Sequence, residues 1–173
     1  MPHLFASEDD SDLVQAERDV RAAFSGLDLN LTSLAAVSYI LRAATAVRNH
    51  MEGGKLAQHE LSWSAFTTLF VLRVWGEMDA RSLAQEAGVT AATLTGVMKT
   101  LEARQLLRRK NDRVDGRRVL VGLSPRGRKV VDEIMPAFNR HDGLVTQALT
   151  EEEQTDLLQA LRTILRTVEA MDL

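Results

Sequence analysis

Apolar residues recur at intervals of three and four along most of this chain, which is the spacing of amphipathic helices. From this pattern we predict helices over residues 13–24, 33–52, 62–75, 80–87, 90–104 and 125–148, and a last helix that begins at residue 150. Residues that favour N-cap positions stand at the starts of five of these helices, namely Ser62, Asp79, Thr90, Ser124 and Thr150. Gly53-Gly54 is expected to end the second helix, and Pro136 is expected to kink the sixth.

The spacing falls to two between the fifth and sixth predicted helices, as it does in β-strands. Residues 107–110 and 118–123 are predicted strands, and Val119, Val121 and Leu123 would share one face of the second. The dipeptide Asp115-Gly116 lies between them, and glycine supplies the positive φ that a tight hairpin turn needs. The sequence therefore predicts a mainly α fold with one small β-hairpin.

The last predicted helix carries an apolar stripe with coiled-coil spacing. Its members are separated by steps of 4, 3, 4 and 3 and are Leu157, Leu161, Ile164, Val168 and Met171. One helix cannot bury such a stripe alone. The stripe therefore contacts either a second copy of the chain or the core of the same chain.

Composition narrows the class of protein. The chain has 173 residues, of which 45% are hydrophobic, and this is sufficient for a core. The absence of Cys excludes disulfides, Cys-ligated zinc and thiol chemistry. No apolar run reaches the roughly 18 residues of a membrane-spanning helix, and the acidic N-terminus lacks a signal-peptide pattern. We expect a cytoplasmic protein that needs no cofactor.

The net charge of −3 conceals a local excess of positive charge. Residues 99–129 contain 11 Lys and Arg against 3 Asp and Glu, whereas the rest of the chain contains 10 basic and 21 acidic residues. A net charge of +8 in so short a segment is typical of a surface that binds a polyanion. The alternative is a solvated charged face with no partner.

The central elements occur in the order of a winged helix-turn-helix. Helix 80–87, the break at Gly88-Val89 and helix 90–104 would form the helix-turn-helix, and the hairpin would form the wing. Small and hydroxyl-bearing residues at an exposed helix start suit the DNA major groove. The predicted contacts from this helix are Thr90, Thr93, Thr95 and Lys99. The alternative is that the Thr residues only cap and cover the helix.

The predicted hairpin is expected to contact DNA beside that helix. Arg117, near its tip, suits the negative potential of the minor groove. Asp115 would hold Arg117 in position. The other basic residues of the hairpin would attract phosphates and are Arg108, Arg109, Lys110, Arg113 and Arg118.

Residues 61–127 resemble the MarR (multiple antibiotic resistance regulator) family of bacterial transcription regulators. The matching stretches are LSWSAFTTLFVL, ARSLAQEAGVTAATLTGVMKTLEARQLLRR and DRVDGRRVLVGLSPRG. The last contains the family's wing motif, Asp-x-Arg followed by Leu-Ser-x-x-Gly, at Asp115, Arg117, Leu123, Ser124 and Gly127. The sequence departs from the family at Gln105, where Gly is usual, and at Gly96 and Gly116, where larger polar or basic residues are common.

The resemblance implies a homodimeric repressor that binds a pseudo-palindromic operator and releases it when a small aromatic or phenolic anion binds. Residues 13–60 and 124–173 would form the dimer, 61–123 the DNA-binding domain, and 1–12 a flexible acidic tail. The ligand would lie between the dimer helices and the DNA-binding lobe, in a crevice lined by Tyr39, Arg42, Trp63, Phe66 and Phe70. Plain core packing is the alternative for these aromatic residues.

Other functions agree less well with the residues. A DNA-binding regulator without an effector stays open, and so does a helical protein-interaction module, although such a module has no need of the basic segment. The sequence has no nucleophile elbow, P-loop, dinucleotide fingerprint or HExxH motif, so we do not expect an enzyme. His50, His59 and His141 would have to converge to bind zinc, and we predict no metal site from them.

Overall fold

Helices and one small sheet make up the part of the chain that the structure describes. This structure is a computed structural model, and it describes residues 10–111 and 119–171. The helices are α1 (Asp10–Ala23), α2 (Leu31–Met51), α3 (Trp63–Trp75), α4 (Ala80–Glu86), α5 (Ala91–Ala103), α6 (Pro125–Thr146) and α7 (Glu151–Glu169). The strands are β1 (Met78–Asp79), β2 (Leu107–Asn111) and β3 (Val119–Leu123). The predicted fold class is confirmed. Among the described helices, none is long and apolar enough to cross a membrane.

Each of the helices α3 to α7 begins where a polar side chain caps it. The Ser62 hydroxyl accepts a hydrogen bond of 3.2 Å from the third backbone N–H after it. A carboxylate oxygen of Asp79 accepts two bonds of 3.0 Å from the first turn of α4. Thr150 and Glu153 exchange the two bonds of a capping box at the start of α7. Each such cap stabilises a helix by about 1 kcal/mol. These helices therefore begin at the residues that the sequence predicts, because the caps are local hydrogen bonds.

The first two helices begin earlier than predicted. Helix α1 begins at Asp10, so residues 10–12 are helical although the sequence analysis assigns them to a tail. Helix α2 begins at Leu31 rather than near Ser33. The reason is that Asn30 precedes the helix and its side-chain oxygen accepts a 3.0 Å bond from the Ser33 amide.

Helix α2 ends at Met51, within one residue of the end that Gly53-Gly54 predicts, and a kinked turn follows it. The backbone forms a π-helical turn at Glu52–Leu56, within which Gly54 leaves the helical region at φ −101° and ψ −105°. It returns to helical dihedral angles at Ala57. Glycine tolerates this local departure, so the result is a kink between two helical stretches.

The sheet contains a strand that the sequence pattern does not predict. Its order is β1-β3-β2, with both pairs antiparallel. The missing strand is β1, which has only two residues and therefore shows no alternation that could reveal it. In β3, Val121 and Leu123 are buried as predicted, whereas Val119 is exposed.

The chain divides into two compact units, Met1–Val47 and Arg48–Leu173. In the second unit, α3 packs against α4, α5, α6 and β3. The centre of its core consists of fully buried side chains from these elements, among them Leu69, Leu83, Leu94, Leu101, Val121 and Ile134. In contrast, no apolar side chain of the first unit is buried among its described residues, and none is buried in α7.

Candidate nucleic-acid interface

Helices α4 and α5 form a helix-turn-helix with a short, closed turn. Gly88 has φ +64°, a left-handed conformation that glycine adopts without strain. The Gly88 and Val89 amides donate to the carbonyls of Gln85 and Ala84 at 3.1 and 3.0 Å. The backbone at the end of α4 is therefore hydrogen-bonded, and the start of α5 is held in place.

Helix α5 has one buried face and one exposed face. Leu94, Met98 and Leu101 are buried. The four predicted contact residues, which we call the recognition face, are all exposed, and they are Thr90, Thr93, Thr95 and Lys99. A side chain added at the exposed Gly96 would meet no atom within 4 Å, so this part of the face is open.

The hydroxyl groups of the recognition face have local roles as well. The Thr90 hydroxyl accepts from the Thr93 amide at 3.1 Å and caps α5. The Thr95 hydroxyl donates to the carbonyl of Ala91 at 2.8 Å. Since a hydroxyl has one donor and two acceptor sites, neither bond uses its full capacity. Lys99 is exposed and forms no ion pair with another described residue.

The three cations of β2, which we call the basic strand residues, are each paired with a carboxylate. Arg108 lies 3.1 Å from Glu77, and Lys110 pairs with the other oxygen of the same carboxylate. Arg109 forms a two-point contact with Glu102 of α5. The hydrogen bond from Lys110 is the main cause that lowers the pKa of Glu77; partial burial opposes it, and the positive charges of Lys110 and Arg108 add to the lowering.

Glu77 and Glu102, the partners of the basic strand residues, are candidate functional residues that the sequence analysis does not name. Glu102 lies inside the basic segment and is therefore visible in the sequence as its internal counter-charge. Glu77 lies 31 residues before Arg108, and only the sheet topology brings the two together. The remaining predicted wing contacts, Arg113, Asp115, Arg117 and Arg118, lie outside the described residues, as does the predicted turn at Asp115-Gly116.

The Leu-Ser-x-x-Gly motif joins α6 to the end of α5. The Ser124 hydroxyl donates to the carbonyl of Gln105 at 2.6 Å and accepts from the Gly127 amide at 2.9 Å. A Cβ at Gly127 would lie 2.0 Å from the carbonyl oxygen of Leu106, so no larger residue fits there. Gln105 has φ +59°, which explains why glycine suits this position.

The predicted aromatic residues of α3 form a cluster with one residue of α6. Phe66 stacks on Phe138 with ring centroids 4.6 Å apart, and Trp63 lies 6.3 Å from Phe66 and 6.0 Å from Phe138. Phe70 lies 6.1 Å from Phe66. Phe66 is only 3% exposed and belongs to the core, whereas the other three are half-buried. We call these four residues the aromatic cluster.

Tyr39 and Arg42 lie together in the first compact unit. The Tyr39 hydroxyl donates to Glu17 at 2.9 Å, and this bond to the carboxylate raises the pKa of Tyr39. The Arg42 guanidinium lies 5.6 Å from the centroid of the Tyr39 ring. A cavity of about 510 Å³ is lined by α1 and α2 beside them. The aromatic cluster belongs to the other unit, so the predicted common crevice remains a prediction.

The three His residues do not assemble a metal site among the described residues. His50 and His141 stack with centroids 4.6 Å apart and line a cavity of about 290 Å³. However, no group of three or more potential metal ligands is found in the described part of the chain. Stacked imidazole rings present faces to each other rather than nitrogen atoms to a shared ion.

Comparison with known proteins gives consistent matches. Residues 61–119 match the model of the MarR family. The chain is 33% identical over 136 residues to the HTH-type transcriptional regulator YwaE of Bacillus subtilis, a stretch that covers 79% of this chain and 80% of that protein. It is 28% identical over 126 residues to the HTH-type transcriptional repressor NicR of Pseudomonas putida, with 73% and 80% covered. The solved structure of BpsR from Bordetella bronchiseptica superposes with a TM-score of 0.66 at 28% sequence identity. The match covers 75% of this chain and 98% of that one. The DNA binding of BpsR is regulated by 6-hydroxynicotinic acid.

Proposed function

We propose that this chain, which belongs to the MarR family of transcription regulators, is a homodimeric repressor that a small aromatic acid releases from its operator. The chain is a DNA-binding regulator and not an enzyme. From its DNA partner we infer that it acts in the cytoplasm. Repression, dimerisation and the effector are the parts of this function that we argue below.

The proposed DNA-binding surface rests on one observation. The recognition face of α5 lies beside the basic strand residues of β2. The face presents hydroxyl and methyl groups with a backbone that can approach base edges closely. The basic strand residues would supply phosphate contacts, which hold the protein on DNA without reading its sequence. Thr90, Thr93, Thr95 and Lys99 would therefore determine sequence preference, and Arg108, Arg109 and Lys110 would add affinity.

Dimerisation is supported by the exposed apolar stripe of α7. Leu157, Ile164 and Val168 of α7 are exposed, as is Met171 just after the end of the helix, and Leu161 is half-buried. A stripe with heptad spacing is stable when a second helix covers it. Helix α2 also exposes large apolar side chains, including Leu34, Val37 and Leu41. A two-fold dimer would place its recognition helices about 34 Å apart, to match successive major grooves of a palindromic operator.

An aromatic acid is the effector class that the relatives suggest. The DNA binding of BpsR responds to 6-hydroxynicotinic acid, and NicR is a repressor. Half-buried Trp63 and Phe138 offer ring faces to such a ligand, and Trp63 would report its binding by fluorescence. The ligand would act by binding the DNA-free arrangement of the dimer more tightly than the DNA-bound one.

The burial of Phe66 favours one alternative, a dimeric regulator with no small-molecule effector. A side chain that is 3% exposed is already fully packed, so the aromatic cluster can serve as ordinary core. The two functions differ in one observable, because only the first predicts that an aromatic acid changes DNA affinity.

The proposed function is tested by fluorescence anisotropy with the DNA upstream of the gene. We expect the full-length protein to bind one site at least about 10³-fold more tightly than a scrambled duplex. The variant Thr93→Ala should reduce this ratio more than it reduces binding to scrambled DNA. The addition of hydroxylated nicotinic or benzoic acids should then release the operator. Equal affinity for both duplexes would contradict the repressor proposal, and release by none of the acids would favour the effector-free alternative.

A further inference from the structure

Glu77 occupies an unusual place at the edge of the sheet. It follows Gly76, whose φ of +81° turns the chain out of α3, and it immediately precedes β1. Since Met78 pairs with Val121 in antiparallel register, Glu77 lies beside Gly122 of the middle strand. A Cβ at Gly122 would be 2.5 Å from the Glu77 Cγ atom. The side chain of Glu77 therefore lies directly on the backbone of Gly122.

The gap at Gly122 allows Glu77 to reach the far strand of the sheet. Arg108 of β2 is the register partner of Gly122. Neighbouring strands are about 4.8 Å apart, so a side chain from β1 must cross roughly twice that distance to reach β2. Glu77 crosses it, with one carboxylate oxygen 3.1 Å from Arg108 and the other paired with Lys110. Arg108 and Lys110 are two residues apart and thus share this face of the sheet.

The three side chains differ in their access to solvent. The Glu77 side chain is 25% exposed, whereas those of Arg108 and Lys110 are 59% and 46% exposed. The carboxylate is confined between the sheet and its two partners, but the cations keep solvent-facing surface from which they can turn toward a phosphate. One negative charge thus serves two cations on the strand that is expected to touch DNA.

We propose that Glu77 is a positioning residue that limits DNA affinity by competing with phosphates for Arg108 and Lys110. Phosphate contacts contribute equally on every DNA sequence. The negative charge of Glu77 reduces that contribution. Discrimination between DNA sequences then depends on the recognition face of α5. The inference rests on the proposed DNA-binding surface, in which the basic strand residues contact phosphates.

The test is DNA affinity of the full-length protein as a function of salt, measured by anisotropy with a short duplex of scrambled sequence. Glu77→Gln keeps the shape of the side chain and removes its charge. We expect it to bind about threefold to tenfold more tightly at low salt, with a steeper dependence of log affinity on log salt by about one to two, because one or two further phosphate contacts form. Glu152→Gln, at an exposed position before the apolar stripe of α7, makes the same charge change outside the sheet and should leave the salt slope unchanged.

Two further variants separate the possible outcomes. Gly122→Ala should displace the Glu77 side chain and act in the same direction as Glu77→Gln, which keeps the test informative if the latter folds poorly. In an Arg108→Gln/Lys110→Gln background, Glu77→Gln should have no effect. Suppose that Glu77→Gln binds DNA no more tightly than the parent, while Arg108→Gln/Lys110→Gln binds clearly more weakly. The role proposed for Glu77 would then be wrong, but the proposed phosphate surface would stand. If the double variant binds DNA as well as the parent, the proposed phosphate surface itself is wrong.

Discussion

The winged lobe (α3–α5 with β1–β3) and helix α7 both carry apolar faces, but only the lobe buries its apolar side chains within the chain. In the lobe, side chains such as Leu69, Leu101 and Val121 are buried within one chain. In α7, no described residue is buried, although the apolar stripe is as regular as any in the chain. The lobe thus buries its apolar residues within one chain, whereas the stripe of α7 needs a partner, which in the proposed dimer is a second copy of the chain. In that proposal DNA binding depends on both regions, because only a dimer presents two lobes to one operator.

The largest effect is expected from a cavity in the lobe. Leu101→Ala removes a side chain that is 0% exposed and should lower the free energy of unfolding by about 2–5 kcal/mol. The same substitution at Leu27, which is 61% exposed, should change it by less than about 0.5 kcal/mol. Urea unfolding followed by circular dichroism checks both. Similar losses at the two positions would mean that the lobe is not the stable unit.

A second prediction breaks the interface while sparing the lobe. The double variant Ile164→Asp/Val168→Asp places two charges in the apolar stripe and should yield a folded monomer. Its operator affinity should be at least about 10²-fold weaker, because the two lobes that bind the two half-sites are no longer linked. Thr163→Asp with Thr167→Asp has the same charge and spacing on exposed positions outside the stripe. Sedimentation velocity should show a dimer for this control. A dimeric Ile164/Val168 variant would show that α7 is not part of the interface.

A smaller effect is expected at the cap of the helix-turn-helix. Asp79→Ala removes the acceptor of two backbone bonds and should cost about 0.5–2 kcal/mol of unfolding free energy. Asp79→Asn retains a good capping residue and should stay within a few tenths of a kcal/mol of the parent. Thermal and urea unfolding measure both. If Asn costs as much as Ala, the carboxylate charge matters more than the cap.

The smallest effect concerns the strained residue after α5. Gln105→Gly should raise the free energy of unfolding by less than about 1 kcal/mol, because relief of a left-handed conformation is partly offset by the flexibility of glycine in the unfolded chain. Gln105→Val should lower it, since a β-branched residue is disfavoured at positive φ. Parallel urea titrations of the two variants provide the measurement, and a more stable Val variant would contradict the explanation.

Local signals in the sequence predict the lobe well. Ser62, Asp79 and Thr90 begin helices because a side chain bonds to a backbone N–H two or three residues away, an interaction that the sequence displays directly. The alternation in 119–123 likewise identifies β3. The resemblance to the MarR family supplies the rest of the expected architecture, and its match over residues 61–119 is confirmed.

The features that sequence reasoning misses depend on distant parts of the chain. Strand β1 exists only because β3 lies beside it, and its two residues carry no periodicity. Glu77 meets Arg108 and Lys110 across a glycine that has no visible role in the sequence. Phe138 joins the aromatic cluster from another helix, so spacing within α3 cannot reveal it.

The most direct test of the account is the salt dependence of operator binding by the proposed dimer. If residues 99–129 hold DNA by their positive charge, affinity should fall on the order of 10³-fold between about 50 and 200 mM salt, as for a site with several phosphate contacts. The measurement uses anisotropy at a protein concentration where sedimentation shows a dimer. A steep linear decrease of log affinity with log salt is the predicted result. A flat response would contradict the account, because the basic segment would then be a solvated face that DNA does not touch.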